Sequence, residues 1–125
     1  MAVSKQYNLG LAILRIGISA MLLTHGIPKV ELLFSNPQAF PDPIGISSTV
    51  TLVLTVFAEV ICSIFIIIGF KTRLATIPPI ILMLVAILVV HINDPIANKE
   101  LAILYLVGFA TIALTGGGKY GINKS

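Results

Sequence analysis

From Ser48 to Phe70 the chain is a largely apolar run whose only charged residue, Glu59, stands at its midpoint. At about 1.5 Å per helical residue the run spans roughly 33 Å, close to the hydrocarbon thickness of a bilayer, which puts Glu59 near the midplane. A charged carboxyl at that depth costs at least about 3 kcal/mol on insertion scales. Glu59 therefore needs a partner, a proton or a water-filled cavity.

The rest of the chain shares this character. Hydrophobic residues make up 57% of its 125 positions and charged residues 10%, with a mean hydropathy of +1.04. That is more apolar surface than a soluble domain of this length can hide, so an integral membrane protein in contact with the lipid bilayer is expected. The fold class that follows is an all-α membrane protein, a four-transmembrane-helix bundle with residues 1–125 forming one domain. A soluble catalytic domain does not fit. The net charge of +3 comes from basic residues scattered at helix ends, which argues against a nucleic-acid partner. The single cysteine, Cys62, offers neither a disulfide nor a dithiol pair and reads as a packing residue. Arg15 interrupts the first apolar run and no small-residue cleavage site follows it, so a cleaved signal peptide is not expected.

Four spans are expected, over about 8–27, 48–70, 74–92 and 95–115. Pro28 marks the end of the first, because the residue before a proline disfavours helix. Along this span Arg15, Ser19, Leu22, Gly26 and Lys29 fall within roughly 40° of one line, a stripe that should face protein. A proline-rich connection then leads through the turn Asp42-Pro43-Ile44-Gly45 to Ser47 or Ser48 as N-cap of the second span. There Ser48, Thr55, Glu59 and Ser63 form a second polar stripe. Pro78-Pro79 belongs either to a first turn or to a kink in the third span. Asp94 and Pro95 read as N-cap and first residue of the fourth. The tail Gly116-Gly117-Gly118-Lys119-Tyr120 resembles a phosphate loop only superficially, since no Ser or Thr follows the lysine and a membrane helix precedes it. Asn123-Lys124-Ser125 is formally a glycosylation sequon.

Counting basic residues at the span ends sets Lys5, Lys71, Arg73, Lys119 and Lys124 against Lys29 and Lys99, which puts both termini in the cytoplasm. Counted from the outer ends, Glu59 lies about 16 Å deep and Arg15 about 20 Å, so direct contact between the two is expected. That contact is either a structural ion pair or a ligand or proton site. His25, His91 and Glu100 form a shallower tier, read as interfacial groups or as the lining of an outward-opening ligand site. Two histidines and a carboxylate on three helices, without local ligand spacing, are a weak metal signal, and no metal is assigned.

Arg15 with Thr24-His25-Gly26-Ile27-Pro28-Lys29, then Asp42-Pro43-Ile44-Gly45, Phe57-Ala58-Glu59 and Gly69 with Thr72-Arg73 follow one another in a telling order. They continue into Glu100 with Leu104-Tyr105-Leu106 and into the glycine-rich tail. In this order and spacing the chain resembles a DoxX family membrane protein over nearly its full length. The resemblance implies a four-helix transmembrane bundle and an association with quinol oxidase or thiosulfate:quinone oxidoreductase systems. Similar proteins often end in a Ser-Leu-Asp-like segment where this chain has Gly121-Ile122-Asn123.

The leading functional expectation is thus a bacterial inner-membrane subunit or accessory of a redox system. It would carry no redox cofactor of its own and bind a quinone or other small apolar ligand, alongside redox partner subunits or further copies of itself. The alternatives are a small-solute permeation unit using Arg15 and Glu59, and a structural partner in a larger complex.

Overall fold

In the computed structural model, which describes residues 2–122 with side chains from residue 5 onward, four helices carry the chain. They are α1 (Ala2–Ser35), α2 (Ser48–Ile68), α3 (Thr72–Val90) and α4 (Ile96–Thr115), each long and apolar enough to cross a membrane. No strand occurs among the described residues. The sequon and the charge on Lys124 lie outside them. Four spans bring both chain ends to one face of the bundle, called proximal here, where the backbone N–H of Lys119 donates to Asn8 Oδ1 at 2.9 Å. The loops carrying Asp42 and Asp94 lie at the opposite, distal end.

The pattern is inside-out. Arg15, Ser19, Thr55, Glu59, Ser63, Thr72 and Thr76 are buried, while Ile13, Val53, Ile64, Leu104 and Leu114 are exposed toward the lipid. Both polar stripes read from the sequence face protein, and Cys62 sits in the core with Leu22, Ile66, Phe109 and Ile112. Small residues let the helices close up. A Cβ on Gly26 would fall 2.7 Å from Val60 Cγ2 and 2.9 Å from Glu59 Cβ, so α1 rests directly on α2 at the level of the carboxylate.

Two boundaries differ from expectation, and one open choice is decided. α1 does not stop at Pro28 but runs through it to Ser35. Within a bilayer no water waits to satisfy freed backbone groups, so keeping the helix and tolerating one lost bond is cheaper than breaking it. At the start of α4, Asp94 does not cap the helix. Pro95 takes the N-cap position in extended conformation, and the Asp94 carboxylate lies 2.7 Å from His91 Nδ1 instead. Pro78 and Pro79 are inside α3, past its first turn.

Two wide turns interrupt the helical regularity. In α2 the N–H of Cys62 bonds back to Phe57 O, and in α3 the N–H of His91 bonds back to Ala86 O, so Phe57–Ile61 and Ala86–Val90 are π-helical. Such turns insert one residue and re-aim the side chains beside them.

The connection between α1 and α2 is held by Asp42. Its carboxylate accepts from the N–H groups of Gly45 and Ile46 at 3.1 Å each and Ser47 at 2.8 Å, and from the Thr51 hydroxyl at 2.8 Å. Ser47 is the N-cap, accepting from the N–H of Val50. Desolvation pushes the Asp42 carboxyl up, but the Thr51 hydroxyl and the N–H groups of Ile46, Ser47 and Gly45 together outweigh it and hold its pKa below the ordinary value. A depressed carboxyl contributes above its unfolded pKa and loses that contribution only as pH falls through its folded one. The clamp should therefore persist well into mild acid. Asp42→Ala is expected to speed amide exchange at Gly45, Ile46 and Ser47 by about tenfold near neutral pH. Unchanged exchange there would show that the carboxylate does not organise the loop.

Candidate functional site

Arg15 and Glu59, which depth counting places in contact, stand at different levels of the bundle. Arg15 is only 2% exposed. Its guanidinium donates to backbone carbonyls: Nη1 to Gly117 at 2.8 Å, Nη2 to Tyr120 and, at 3.4 Å, to Ile67. The glycine-rich tail reaches it by folding under the bundle. Gly116 at φ 77 ends α4 and Gly118 at φ 80 turns the chain. The Ile122 N–H then donates to Ile68 O at 3.0 Å. Gly121 lies so close to Gly69 that a side chain on either would meet backbone. Carbonyl dipoles converging from two segments thus stand in for a counter-ion.

Glu59 instead pairs with Lys29, whose Nζ donates to Oε1 at 2.6 Å. Gly26 lies against Glu59 while Gly69 lies against the Arg15 guanidinium. Eleven residues of α1 separate these levels, about 16 Å, far beyond an arginine's reach. The Arg15–Glu59 pair is therefore corrected to Lys29–Glu59. The physical reason is that α1 does not end at Pro28 but continues to Ser35, which sets Arg15 deeper from the distal end and carries Lys29 into the bundle. Lys29 lies on the same stripe as Arg15, and the unbroken helix brings it to Glu59.

Around this pair lies a cavity of about 700 Å³ in the distal half of the bundle. All four helices contribute to it, along with the connection between α1 and α2. Near its floor stand Leu22, Glu59, Met83 and Tyr105, with Lys29 reaching in from above; its roof is made by Phe40, Pro41, Pro43 and Ile44. The Glu59 side chain is 6% exposed and that of Lys29 30%. Both wide turns border the space: Phe57, Ala58 and Glu59 come from one, Ala86 and Val90 from the other.

Of the expected outer tier, His25 and His91 line the cavity, and Glu100 does not. His25 meets Tyr105 edge-on with ring centroids 6.1 Å apart, and His91 is turned to Asp94. Glu100 is exposed. Five residues of helix set it about 140° around α4 from buried Tyr105, so it is withdrawn from the site. Lys29 and Tyr105 are the residues missing from the expected site. Tyr105 sits among apolar neighbours on the part of α4 beyond Glu100, where no periodicity marks the inner face.

Chemically, the cavity offers an apolar envelope with one internally neutralised ion pair, a phenol and two imidazoles. Such a space suits a mostly hydrocarbon molecule with a hydrogen-bonding end.

No curated protein and no solved structure matches the chain. A family model described as DoxX matches residues 10–92, more than half of the chain, covering most of α1 and all of α2 and α3. Glu100, Tyr105 and the glycine-rich tail fall beyond that stretch, so the resemblance read from the sequence extends further than the matched region. With its four apolar helices and this match, the chain belongs to the DoxX family of multi-pass membrane proteins.

Proposed function

We propose that this protein binds a small, largely apolar molecule in the distal cavity, as a subunit or accessory of a quinone-linked redox system in the bacterial inner membrane. One observation carries the reading: the cavity of about 700 Å³ places the Lys29–Glu59 pair among hydrocarbon walls. That volume lies within the range of small-molecule sites. A quinone-like ring has two hydrogen-bonding oxygens, which Lys29, Tyr105 and the histidines can serve, and an apolar substituent for the walls. The chain supplies binding and orientation, and electrons come from redox partner subunits. Further copies of the chain in such an assembly are part of the same proposal.

Lys5, Lys71, Arg73 and Lys119 support a cytoplasmic proximal end. The cavity then lies in the outer leaflet, as expected for a site containing His25 and His91. A permeation unit built on Arg15 with Glu59 has lost its basis, because each residue has other partners.

The test is titration of the detergent-purified protein with a quinone analogue, with mass spectrometry of molecules retained after mild extraction. Wild type is expected to bind, and Glu59→Gln to bind about tenfold more weakly. The double variant Lys29→Met/Glu59→Leu keeps the fold without a stranded charge and should lose binding too. Equal affinity for all three would remove the site from the reading.

A further inference from the structure

The cavity's lining is exposed at several points, at His25, Ile44, Val90 and Leu101 as well as between α2 and α3. Its roof is fastened by the Asp42 clamp. At the seam between α1 and α4, His25, itself exposed, stands edge-on to Tyr105. α3 packs along α4. Between α2 and α3 the arrangement differs. They join through the tight turn at Gly69 and touch through Phe57–Ile68, but the distal part of α2, Ser48–Val56, packs on α1 and on Pro37–Ala39. Val60 rests on Gly26 of α1, and Leu54 of the same helix lines the cavity. Leu54, Phe57 and Ile81 all line the cavity and are nevertheless 53%, 46% and 55% exposed. In a bilayer that exposure is shared between the cavity and the lipid.

We infer that the distal seam between α2 and α3 is a lateral door, through which an uncharged single-chain amphiphile enters from the lipid. Its head sits at Lys29 and Glu59 and its chain lies between Leu54, Phe57 and Ile81. The inference rests on the reading of the cavity as a ligand site, and adds the route and the chemical class. The uncharged head follows from the pairing of the walls. Lys29 is neutralised by Glu59, and His91 is turned to Asp94. A charged head would draw one member away and strand the other in low dielectric. The chain follows from the door itself, whose named walls carry no polar side chain and would leave a shorter, polar ligand facing lipid on one side.

The experiment uses the full chain in proteoliposomes and a decyl-substituted benzoquinone carrying a diazirine either on the ring or at the chain end. Labelled peptides are mapped by mass spectrometry with and without excess unlabelled parent. The ring probe is expected to mark the surroundings of Lys29, Glu59 and Tyr105, the chain-end probe Leu54, Phe57 and Ile81, and both labels should be competed away. Leu54→Trp or Ile81→Trp should reduce the competed label by about tenfold by filling the seam, while Ile13→Trp, on the lipid-facing side of α1, should leave it unchanged. Chain-end label at Phe40, Pro41 or Asn98 with ring label retained would overturn the lateral door and leave the ligand site standing. Ring label that excess parent does not compete would mean ordinary lipid occupancy, and would overturn both the door and the site.

Discussion

Lys29→Met and Glu59→Leu, made singly, are each expected to destabilise the bundle by about 2–4 kcal/mol, and the double variant by less than either. Each single change leaves one charge in a hydrocarbon-walled space, a loss of about 3–5 kcal/mol for a fully buried pair; partial exposure of Lys29 to the cavity reduces it. Removing both strands nothing. Reversible unfolding in mixed micelles, read as a double-mutant cycle, should therefore give a large coupling energy. The contrasting cycle, Arg15→Leu with Glu59→Leu, should be additive, because the two side chains share no partner and sit about 16 Å apart along α1. Additivity for Lys29 and Glu59, or strong coupling for Arg15 and Glu59, would reverse the assignment of partners.

Arg15→Met is expected to release the tail, with a stability loss of about 3 kcal/mol. Hydrogen bonds from a charged donor contribute about 1.5–3 kcal/mol each, but relief from holding an unpaired guanidinium in the bundle offsets part of the loss. The more telling result is local. Without the guanidinium, the carbonyls of Gly117 and Tyr120 lose their donor, so the amides of 116–122 should exchange at near-free rates while those of α2 and α3 keep their protection. Arg15→Lys is expected to rescue little, because one compact ammonium cannot span three acceptors on two segments as a planar fork does. Retained tail protection in Arg15→Met would show that glycine packing alone, at Gly69 and Gly121, holds the segment down.

Much of this architecture was legible in the residues. Charge-poor runs set the number of spans, and spacing at 3.6 residues identified the inward stripes of α1 and α2 correctly, including Lys29. The misreading at Pro28 came from applying a rule of aqueous chains to a lipid setting, where helix breaking exposes backbone to hydrocarbon. From that one error followed the wrong depth for Arg15 and the wrong partner for Glu59. The acceptors of Arg15 could not have been read at all. They are main-chain carbonyls of Gly117, Tyr120 and Ile67, groups that every residue carries, and the glycines that bring them close look like any flexible tail. Glu100 lies near a helix end, but direction around the axis decides which side chains enter the cavity, and beyond its first turn α4 carries no polar stripe to mark that direction.

The strap beneath Arg15 also imposes an order of assembly. The acceptors on the tail lie 102 and 105 positions later in the chain than the arginine they satisfy. At ribosomal rates of about 5–20 residues per second, Arg15 is made roughly 5 to 20 seconds before them. Throughout that interval α1 carries a cation with neither tail acceptor yet made, so it should linger in the translocation channel or near the headgroups instead of settling at its final depth. Closure of the proximal end thus becomes a late step, and a nascent chain arrested before Gly117 would carry a guanidinium without its two tail acceptors, which distinguishes it from a finished one.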